Sequence, residues 1–468
     1  MARESLIELR KDTAADWTSA DPTLNSGECG FEEDTGRVKI GDGSTAWISL
    51  PYQDQLNFPY VGAEWAYNQT ASALTRKDLL GNTVSSLILD WAQHPYLSQI
   101  KRCNLADDST YDDYTVNAWY GDPDFSYTGS NGQVMTWVPK GYSYEYQDSG
   151  NSKYRWYISH KPKTDFRLDP AFIYNETELD GFFIGTFPAC AYDVSGSVYN
   201  LTDVTGVDYT ASSGDKLSSV SGALPLSGNN NATNTMTNMR VLAHNRGSGW
   251  ELQNYNMVRW LQTCYLVRYA DFDIQSKVSE GVTDLASGTG NQALPSGYTA
   301  GVGTGSSDLG NTTGEVATIT HPTPPEEVTQ AFSLFGIENW PTGNIEEWVD
   351  GINIKDRKPW IADHGFADNT FTAPYVDTGL TLGATSGYTK GVALDPTKRF
   401  GFLPTSVGGS NNTYLTDYYY QATGNRAALL GSYWSGGAIA GAFYWCLNSA
   451  ASYVSRYIGA RLAFLPHN

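Results

Sequence analysis

Tyr433, Tyr453 and Tyr457, within the segment Gly431–Phe464, are the residues of this sequence best suited to chemistry, and that chemistry is recognition. A tyrosine ring supplies contact area at a small entropic cost, and its hydroxyl both donates and accepts hydrogen bonds. Around the tyrosines, a recurring frame of Gly, Ala, Phe and Trp alternates with side chains that share no chemistry. This pattern suits an exposed face whose side chains change while the frame stays folded.

The frame and the changeable positions are assigned as follows. We expect a ligand-binding face formed by Ser432, Tyr433, Ser435, Gly436, Ile439, Cys446, Ser449, Tyr453, Val454, Ser455, Arg456 and Tyr457. The frame residues that we expect to be buried are Trp434, Phe443, Trp445 and Ile458, because large apolar side chains dominate core packing. Arg461 is expected to hold a loop through hydrogen bonds. An ordinary glycine-rich sheet edge remains the alternative.

Catalytic and metal-binding patterns are weak. The sequence contains no G-x-S-x-G, H-E-x-x-H or G-x-x-x-x-G-K-[ST] motif, and its six histidines are isolated. The acidic pairs at 107–108 and 112–113 favour a solvated loop over a calcium site. The five cysteines are widely spaced and odd in number, which predicts free thiols. We therefore predict no catalytic residue, no metal and no cofactor, although paired carboxylates from distant positions stay possible for a glycan-cleaving enzyme.

Composition narrows the class of partner. The 468 residues carry a formal net charge of −20, which argues against nucleic acid and anionic membranes as partners. Charges interrupt the apolar residues at the N-terminus, and no run of about 18 apolar residues occurs, so we expect neither a signal peptide nor a membrane insertion. Abundant Gly beside 13% aromatic residues predicts a chain rich in strands and loops.

Residues 1–52 form the first predicted domain. Phe31-Glu32-Glu33 and Arg37-Val38-Lys39-Ile40 flank Asp34-Thr35-Gly36, the pattern of a β-hairpin with a three-residue loop. The stretches "LRKDTAADW" and "GECGFEEDTGRVKIGDGSTAWISLPY" resemble the N-terminal module of tailed-phage fibre and receptor-binding proteins. The resemblance implies a module that forms a homotrimer, often as a β-prism, and that attaches to other virion proteins.

Two further regions follow this module. Residues 53–93 are predicted to be a connector with a mildly helical stretch that ends before Pro95. Residues 94–468 form the large domain, whose best helix is "WELQNYNMVRWLQTCYLVRY", with Leu252, Tyr255 and Val258 on its apolar face. The Gly/Ser/Thr-rich stretch 286–316 is expected to be an exposed insertion, and the variable region spans 431–464.

The large domain carries a second resemblance. "HPYLSQIKRCNLADD", "DPAFIYNETELDGFFIGTF" and "EEWVDGINI" are similar to segments of phage proteins whose C-terminal part has a C-type-lectin-like fold. The final segment resembles the variable region of retroelement-diversified proteins of the major tropism determinant type. In that family, asparagine codons are altered at their adenines, and the eleven predicted face residues from Tyr433 to Tyr457 are all reachable in this way.

The resemblances imply a fold and a function. The expected fold is α+β and β-rich, with a small N-terminal β-hairpin or β-prism module before a large, elaborated C-type-lectin-like domain. The expected function is that of a phage receptor-binding protein, located in the virion and made in the host cytoplasm, which binds a bacterial surface protein or glycan. A structural fibre or decoration subunit without a receptor and a glycan depolymerase are the alternatives.

Overall fold

The computed structural model describes residues 10–50, 52, 60–84, 94–199, 214–228, 234–286, 293–301, 308–310, 314–320 and 327–467. The chain divides into two compact units. The first comprises residues 1–61 and 77–84, and the second comprises residues 62–76 and 85–468. No helix in the described ranges is long and apolar enough to cross a membrane.

The first unit contains a three-stranded sheet. Its elements are β1 (Arg10–Asp12), α1 (Ala14–Ala20), β2 (Cys29–Glu32) and β3 (Val38–Ile40). β1 is parallel and β3 antiparallel to β2, so the predicted hairpin is confirmed. Gly36 in its turn has a φ of 69°, a left-handed conformation that glycine adopts without steric cost.

The core of the first unit is small and aromatic. Trp17 of α1 stacks on Trp47 with ring centroids 4.1 Å apart, and Leu24 and Leu50 are buried beside them. The Lys39 ammonium is also buried and donates to the carbonyl of Trp47 at 2.6 Å. The buried apolar cluster in the described part of this unit is small for an independent domain, which fits the expectation that this module associates with further copies.

The remaining elements complete the fold. The strands are, in chain order, β4 (Gly62–Ala66), β5 (Thr75–Lys77), β6 (Lys101–Leu105), β7 (Val116–Trp119), β8 (Gln133–Pro139), β9 (Tyr142–Asp148), β10 (Lys153–Ser159), β11 (Arg167–Leu168), β12 (Ile173–Tyr174), β13 (Thr177–Glu178), β14 (Gly181–Gly185), β15 (Cys190–Asp193), β16 (Val198–Tyr199), β17 (Lys216–Ser218), β18 (Trp250–Leu252), β19 (Glu315–Thr320), β20 (Val328–Leu334), β21 (Ile337–Glu338), β22 (Glu346–Lys355), β23 (Lys358–Ile361), β24 (Val376–Asp377), β25 (Gly387–Val392), β26 (Pro404–Val407), β27 (Tyr418–Gln421), β28 (Asn425–Leu430), β29 (Trp445–Leu447), β30 (Ile458–Gly459) and β31 (Leu462–Phe464). The helices are α2 (Met236–His244), α3 (Tyr255–Tyr269) and α4 (Ile274–Lys277).

Three larger sheets organise the second unit within its described residues. Their strand orders are β24-β23-β22-β28-β29-β27-β25-β26 with β30 beside β22, β18-β31-β14-β8-β6-β7, and β11-β9-β10-β4-β5. One buried cluster joins Trp348 and Leu429 of the first of these sheets to Phe183 and Leu462 of the second, with Met239 of α2. The β-rich α+β class is thus confirmed.

The amphipathic pattern predicts that helix α3 has a polar face in contact with solvent, opposite its apolar face, and the structure differs from this prediction. Leu252 lies in β18 rather than in the helix, and the helix is buried on all sides from Tyr255 to Val267. Its polar residues are therefore hydrogen-bonded inside the protein: Gln262 donates to the carbonyl of Ala442 at 2.6 Å, and Arg259 pairs with Asp169. A periodic pattern cannot distinguish a solvated polar face from one that is paired internally.

The prediction of an exposed insertion at 286–316 is wrong for most of the residues that the structure describes there. Leu294 and Thr299 are buried, and Leu294 contributes to a core cluster with Trp434. Thr299 Oγ1 donates to the buried carboxylate of Glu338 at 2.7 Å. Small polar residues satisfy one another through such bonds, so a composition typical of loops can also line an interior.

The predicted connector 53–93 is not a simple linker where it is described. β4 pairs antiparallel with β10, with Ala66 opposite Lys153 and Ala63 opposite Trp156, so this stretch adds a strand to a sheet of the large unit. Thr75–Lys77 is a strand rather than helix. Residues 85–93, which belong to the predicted helical stretch, lie outside the described residues.

Candidate ligand-binding cleft

The C-terminal segment borders a cleft in the described part of the second unit. The cleft has a volume of about 620 Å³, within the range of ligand-binding sites. Six of the twelve predicted face residues line it: Tyr433, Ile439, Cys446, Ser449, Tyr453 and Tyr457. The cleft therefore brings together residues that are up to 24 positions apart in the segment, Tyr433 and Tyr457 being the outer pair.

Strand pairing positions this segment at several points. β28 and β29 are antiparallel, with Leu430 opposite Trp445, and β30 runs parallel to β22. Between these strands, the N–H of Ala427 donates to the carbonyl of Ser449 at 2.9 Å. The N–H of Met236 donates to the carbonyl of Ala451 at 3.1 Å. Main-chain bonds hold the loops whatever side chains they carry, which permits the side chains to vary.

The frame residues are buried as predicted. Trp434, Phe443, Trp445 and Ile458 are each at most 1% exposed, which confirms their assignment to the scaffold. Gly441 has a specific reason to be glycine, because a Cβ at this position would collide with the Asp417 carboxylate. That carboxylate accepts the N–H of Phe443 at 2.7 Å. The recurring Gly and aromatic residues are therefore required by packing.

Three tyrosines form a connected group at the cleft. The rings of Tyr433 and Tyr457 are stacked, with centroids 4.4 Å apart and an interplanar angle of 20°. The hydroxyls of Tyr453 and Tyr457 lie 3.4 Å apart, and Tyr453 is 45% exposed. Burial, followed by the contact with the Tyr453 hydroxyl, raises the pKa of Tyr457. The Tyr457 hydroxyl is thus protonated at neutral pH and acts as a neutral hydrogen-bonding group.

One predicted face residue, Ser432, is placed in the interior, which corrects its assignment. Ser432 is 0% exposed and has a φ of 65°, because the chain turns inward after β28. A Cβ on Gly436 would collide with the Ser432 hydroxyl, so these two positions cannot vary independently. Cys446 lines the cleft floor but is 6% exposed, and burial raises the pKa of its thiol well above the usual range. Alternation with frame residues in the sequence does not reveal such inward turns.

The other predicted residues lie beside the cleft lining. Ser435, Gly436, Val454, Ser455 and Arg456 are half-buried and do not line it. The guanidinium carbon of Arg456 lies 5.9 Å from the centroid of the Trp434 ring. The carbonyl of Ser455 accepts the N–H of Gly228 at 2.9 Å. The structure thus separates the predicted face into a part around the cleft and a part next to it.

The cleft also contains residues that sequence reasoning missed. Glu346 of β22, Tyr420 of β27, Arg426 of β28 and Tyr444 lie outside the twelve predicted positions and line the cleft. The Tyr444 hydroxyl donates to Glu346 Oε1 at 2.8 Å. Burial raises the pKa of the Glu346 carboxyl to about 7. An acidic residue opening the apolar strand "EEWVDGINI" was the available signal for Glu346, because a charge there needs a partner.

The arrangement of Arg461 bears out the predicted tying role. Its guanidinium pairs with Glu347, with Nη2 2.6 Å from Oε1 and Nε 3.0 Å from Oε2. It also donates to the carbonyls of Gly185 at 2.9 Å and Glu338 at 3.1 Å. Arg461 is fully buried and does not line the cleft. It therefore fixes the chain just before β31, the last strand of the variable segment.

The side chains that line the cleft supply groups that can bind a ligand. Glu346 is the single carboxylate among the described residues that line it, whereas glycoside hydrolysis uses a pair of carboxyl groups. No group of three or more metal-ligating side chains occurs in the described ranges. Tyrosine rings, hydroxyls, an amide and one guanidinium supply apolar contact and hydrogen bonds to a ligand.

One family model and several solved structures match the chain. The family model "Major tropism determinant N-terminal domain" matches residues 7–45. Structures of the P3c, U1 and M1 variants of the major tropism determinant align over 98%, 98% and 99% of this chain and 99%, 99% and 100% of theirs, with 13%, 14% and 14% identity and TM-scores of 0.26, 0.26 and 0.27. No curated protein sequence matches. Residues 7–45 therefore match an N-terminal domain of the major tropism determinant type, which confirms the resemblance carried by the N-terminal stretches of the sequence.

Proposed function

We propose that this protein is a tailed-phage receptor-binding protein that attaches the virion to a bacterial surface molecule through the cleft and the residues around it. The N-terminal domain, of major tropism determinant type, supports a role in the virion. The observation that carries the proposal is the convergence of Tyr433, Tyr453 and Tyr457 on one cleft, above a frame of buried residues. Three positions that the sequence predicts to be changeable would thereby contact the same ligand.

A homotrimer suits this function. The first unit buries few apolar side chains of its own, and its association would present three clefts on one fibre. Binding several sites at once raises the effective affinity by roughly 10²–10⁴ without new contacts. Individually weak contacts are then sufficient for attachment, and a change of one side chain is tolerated. The N-terminal module would bind other virion proteins.

Competition with the phage tests this function. Purified full-length protein added to host cells is expected to coat them and to reduce adsorption of the intact phage in proportion to its concentration. A structural subunit without a receptor would leave adsorption unchanged at saturating protein. A depolymerase would instead shorten the surface polysaccharide, which gel filtration of the extracted glycan measures. Either of these results would contradict the proposal.

A further inference from the structure

Arg426 is the single cationic residue among the described residues lining the cleft. No carboxylate in the described ranges lies within 4.0 Å of its guanidinium, in contrast to Arg240, Arg259 and Arg461, which are ion-paired. Its Nε is shielded from solvent and donates to no acceptor there. A guanidinium that lines a cleft and has no ion-pair partner there can receive an acceptor from outside the chain through its other N–H groups.

A second donor lies at the same end of the cleft. Asn448 is exposed, and its side-chain oxygen already accepts from the thiol of Cys446 and the hydroxyl of Ser449, both at 3.1 Å. These two bonds orient the Asn448 amide, so its nitrogen, a donor only, is directed away from them. Arg426, which has no carboxylate within 4.0 Å in the described ranges, and Asn448 together offer N–H groups at this end of the cleft, which is the chemistry of an anion-binding subsite.

The rest of the cleft favours a sugar over a peptide as the carrier of that anion. In the paired strands β22 and β28, Glu347 lies opposite Leu430, and Glu346 is one residue beyond that pair. Arg426 lies near the opposite end of β28. The backbone positions of Glu346 and Arg426 are therefore about 16 Å apart along the strands. Tyr420 and Tyr453 also line the cleft. A cleft of about 620 Å³ has room for a short oligosaccharide, whereas protein partners engage wide surfaces.

We propose that the cleft binds an acidic glycan and that Arg426 binds the carboxylate of one of its sugar units. This inference rests on the proposed function, since it specifies the ligand of the same site. Arg426 lies outside the variable segment, so the acidic group is recognised in a fixed manner while the tyrosines around it select the neighbouring sugars. The net charge of −20 does not prevent this contact, because charges beyond about 8–10 Å are screened at physiological salt.

The test uses purified full-length protein and two acidic probes, trigalacturonate and a hyaluronan tetrasaccharide. Binding is followed by isothermal titration and saturation-transfer NMR. The methyl ester of trigalacturonate serves as the neutral counterpart, and an Asp-rich peptide represents a protein ligand. We expect at least one acidic probe to bind, the ester to bind about 10–100-fold more weakly, and the peptide to bind no better than the ester.

The matched variants are Arg426→Gln in β28 and Lys355→Gln in β22. Each removes one positive charge, and the two residues lie on paired strands one position apart in register. Arg426→Gln is expected to bind the acidic probe about 10–100-fold more weakly than the wild-type protein does and to have an unchanged melting temperature. Lys355→Gln, exposed and outside the cleft lining, is expected to bind normally. The inference is overturned if Arg426→Gln binds the acidic probe as tightly as the wild-type protein does, or if the methyl ester binds as tightly as the acid. It is also overturned if the peptide binds more tightly than the ester, or if neither acidic probe binds. Phage competition by wild-type protein remains a separate result, so the proposed function can stand if this inference fails.

Discussion

Substitutions of residues at the floor of the cleft are expected to have different effects from substitutions at its rim. Glu346 is buried, and burial raises the pKa of its carboxyl from 4.5 to about 7. The Tyr453 ring is nearly half exposed and contacts the Tyr457 hydroxyl. A floor residue therefore couples to the stability of the fold, whereas a rim residue affects what binds.

The first residue-scale prediction is a pH dependence of stability. Between about pH 4.5 and about 7 the folded protein keeps the Glu346 proton that the unfolded chain loses, so this residue makes the free energy of unfolding fall as pH rises through that window. In the Glu346→Gln variant, the decrease in the free energy of unfolding with rising pH is expected to be smaller by up to about 3 kcal/mol. Urea unfolding at pH 5 and pH 8 measures it.

A background contribution must be separated from that of Glu346. Burial also raises the pKa of Glu145 to about 7, so the wild-type protein shows the sum of both residues. Glu145→Gln is the matched control, and each single variant is expected to flatten the pH profile in part. An unchanged profile for Glu346→Gln would mean that the Glu346 carboxyl is not protonated in the folded cleft.

The second residue-scale prediction concerns Arg461. Replacing it with Met leaves the Glu347 carboxylate buried without its cation, which costs about 3–5 kcal/mol. The double variant Arg461→Met/Glu347→Gln is expected to recover part of that loss, because the buried charge is then absent. Guanidinium unfolding measures both variants. Equal stability of wild-type and single variant would contradict the tying role.

Sequence reasoning succeeded unevenly among residues. The burial of Trp434 and Trp445 followed from their size, and the tying role of Arg461 followed from its place in the frame. Ser432 was misplaced, because only the left-handed turn after β28 directs it inward. Arg426 and Glu346 were missed because strands distant in sequence bring them to the cleft, and a linear pattern does not reveal pairing between such strands.

At the scale of elements, main-chain hydrogen bonds separate the frame of the C-terminal segment from its rim. β28, β29 and β30 hold the loops at their ends, and the bond from Ala427 to Ser449 holds one of them in its middle. The hairpin of the first unit was predictable because its turn signal is local. The buried polar stretch around Thr299 was not, because its partner Glu338 is far away in sequence.

The element-scale prediction compares rim with frame. Tyr453→Ser is expected to change the free energy of unfolding by less than about 0.5 kcal/mol, as for other exposed substitutions. Trp434→Ala is expected to cost about 3–5 kcal/mol, because it empties a buried site in the cluster with Leu294. Thermal and chemical unfolding provide the comparison. Similar losses for both variants would show that the segment is not divided into rim and frame.

At the scale of the whole molecule, the two units have different tasks in the proposal. The first unit contains the major tropism determinant N-terminal domain, and the second contains the cleft. Composition predicted the β-rich class and the charge of the chain. It did not predict that the stretch 62–66 joins a sheet of the second unit, because strand addition depends on a partner that is distant in sequence.

The prediction at this scale is a trimer. Light scattering of the full-length chain is expected to give three times the mass of one chain across the micromolar range. Trp47→Ala in the first unit empties the stacked pair with Trp17 and is expected to weaken that assembly. A mass of one chain at all concentrations would remove the basis for multivalent attachment.

The most direct measurement pairs adsorption with folding in the variant Tyr433→Ala/Tyr453→Ala/Tyr457→Ala. Virions carrying it are expected to lose adsorption to the host by at least about tenfold, the effect of removing a few aromatic anchors from a binding site. The purified variant is expected to keep the melting temperature of the second unit within a few degrees. Unchanged adsorption by a folded variant would contradict the claim that these tyrosines bind the receptor.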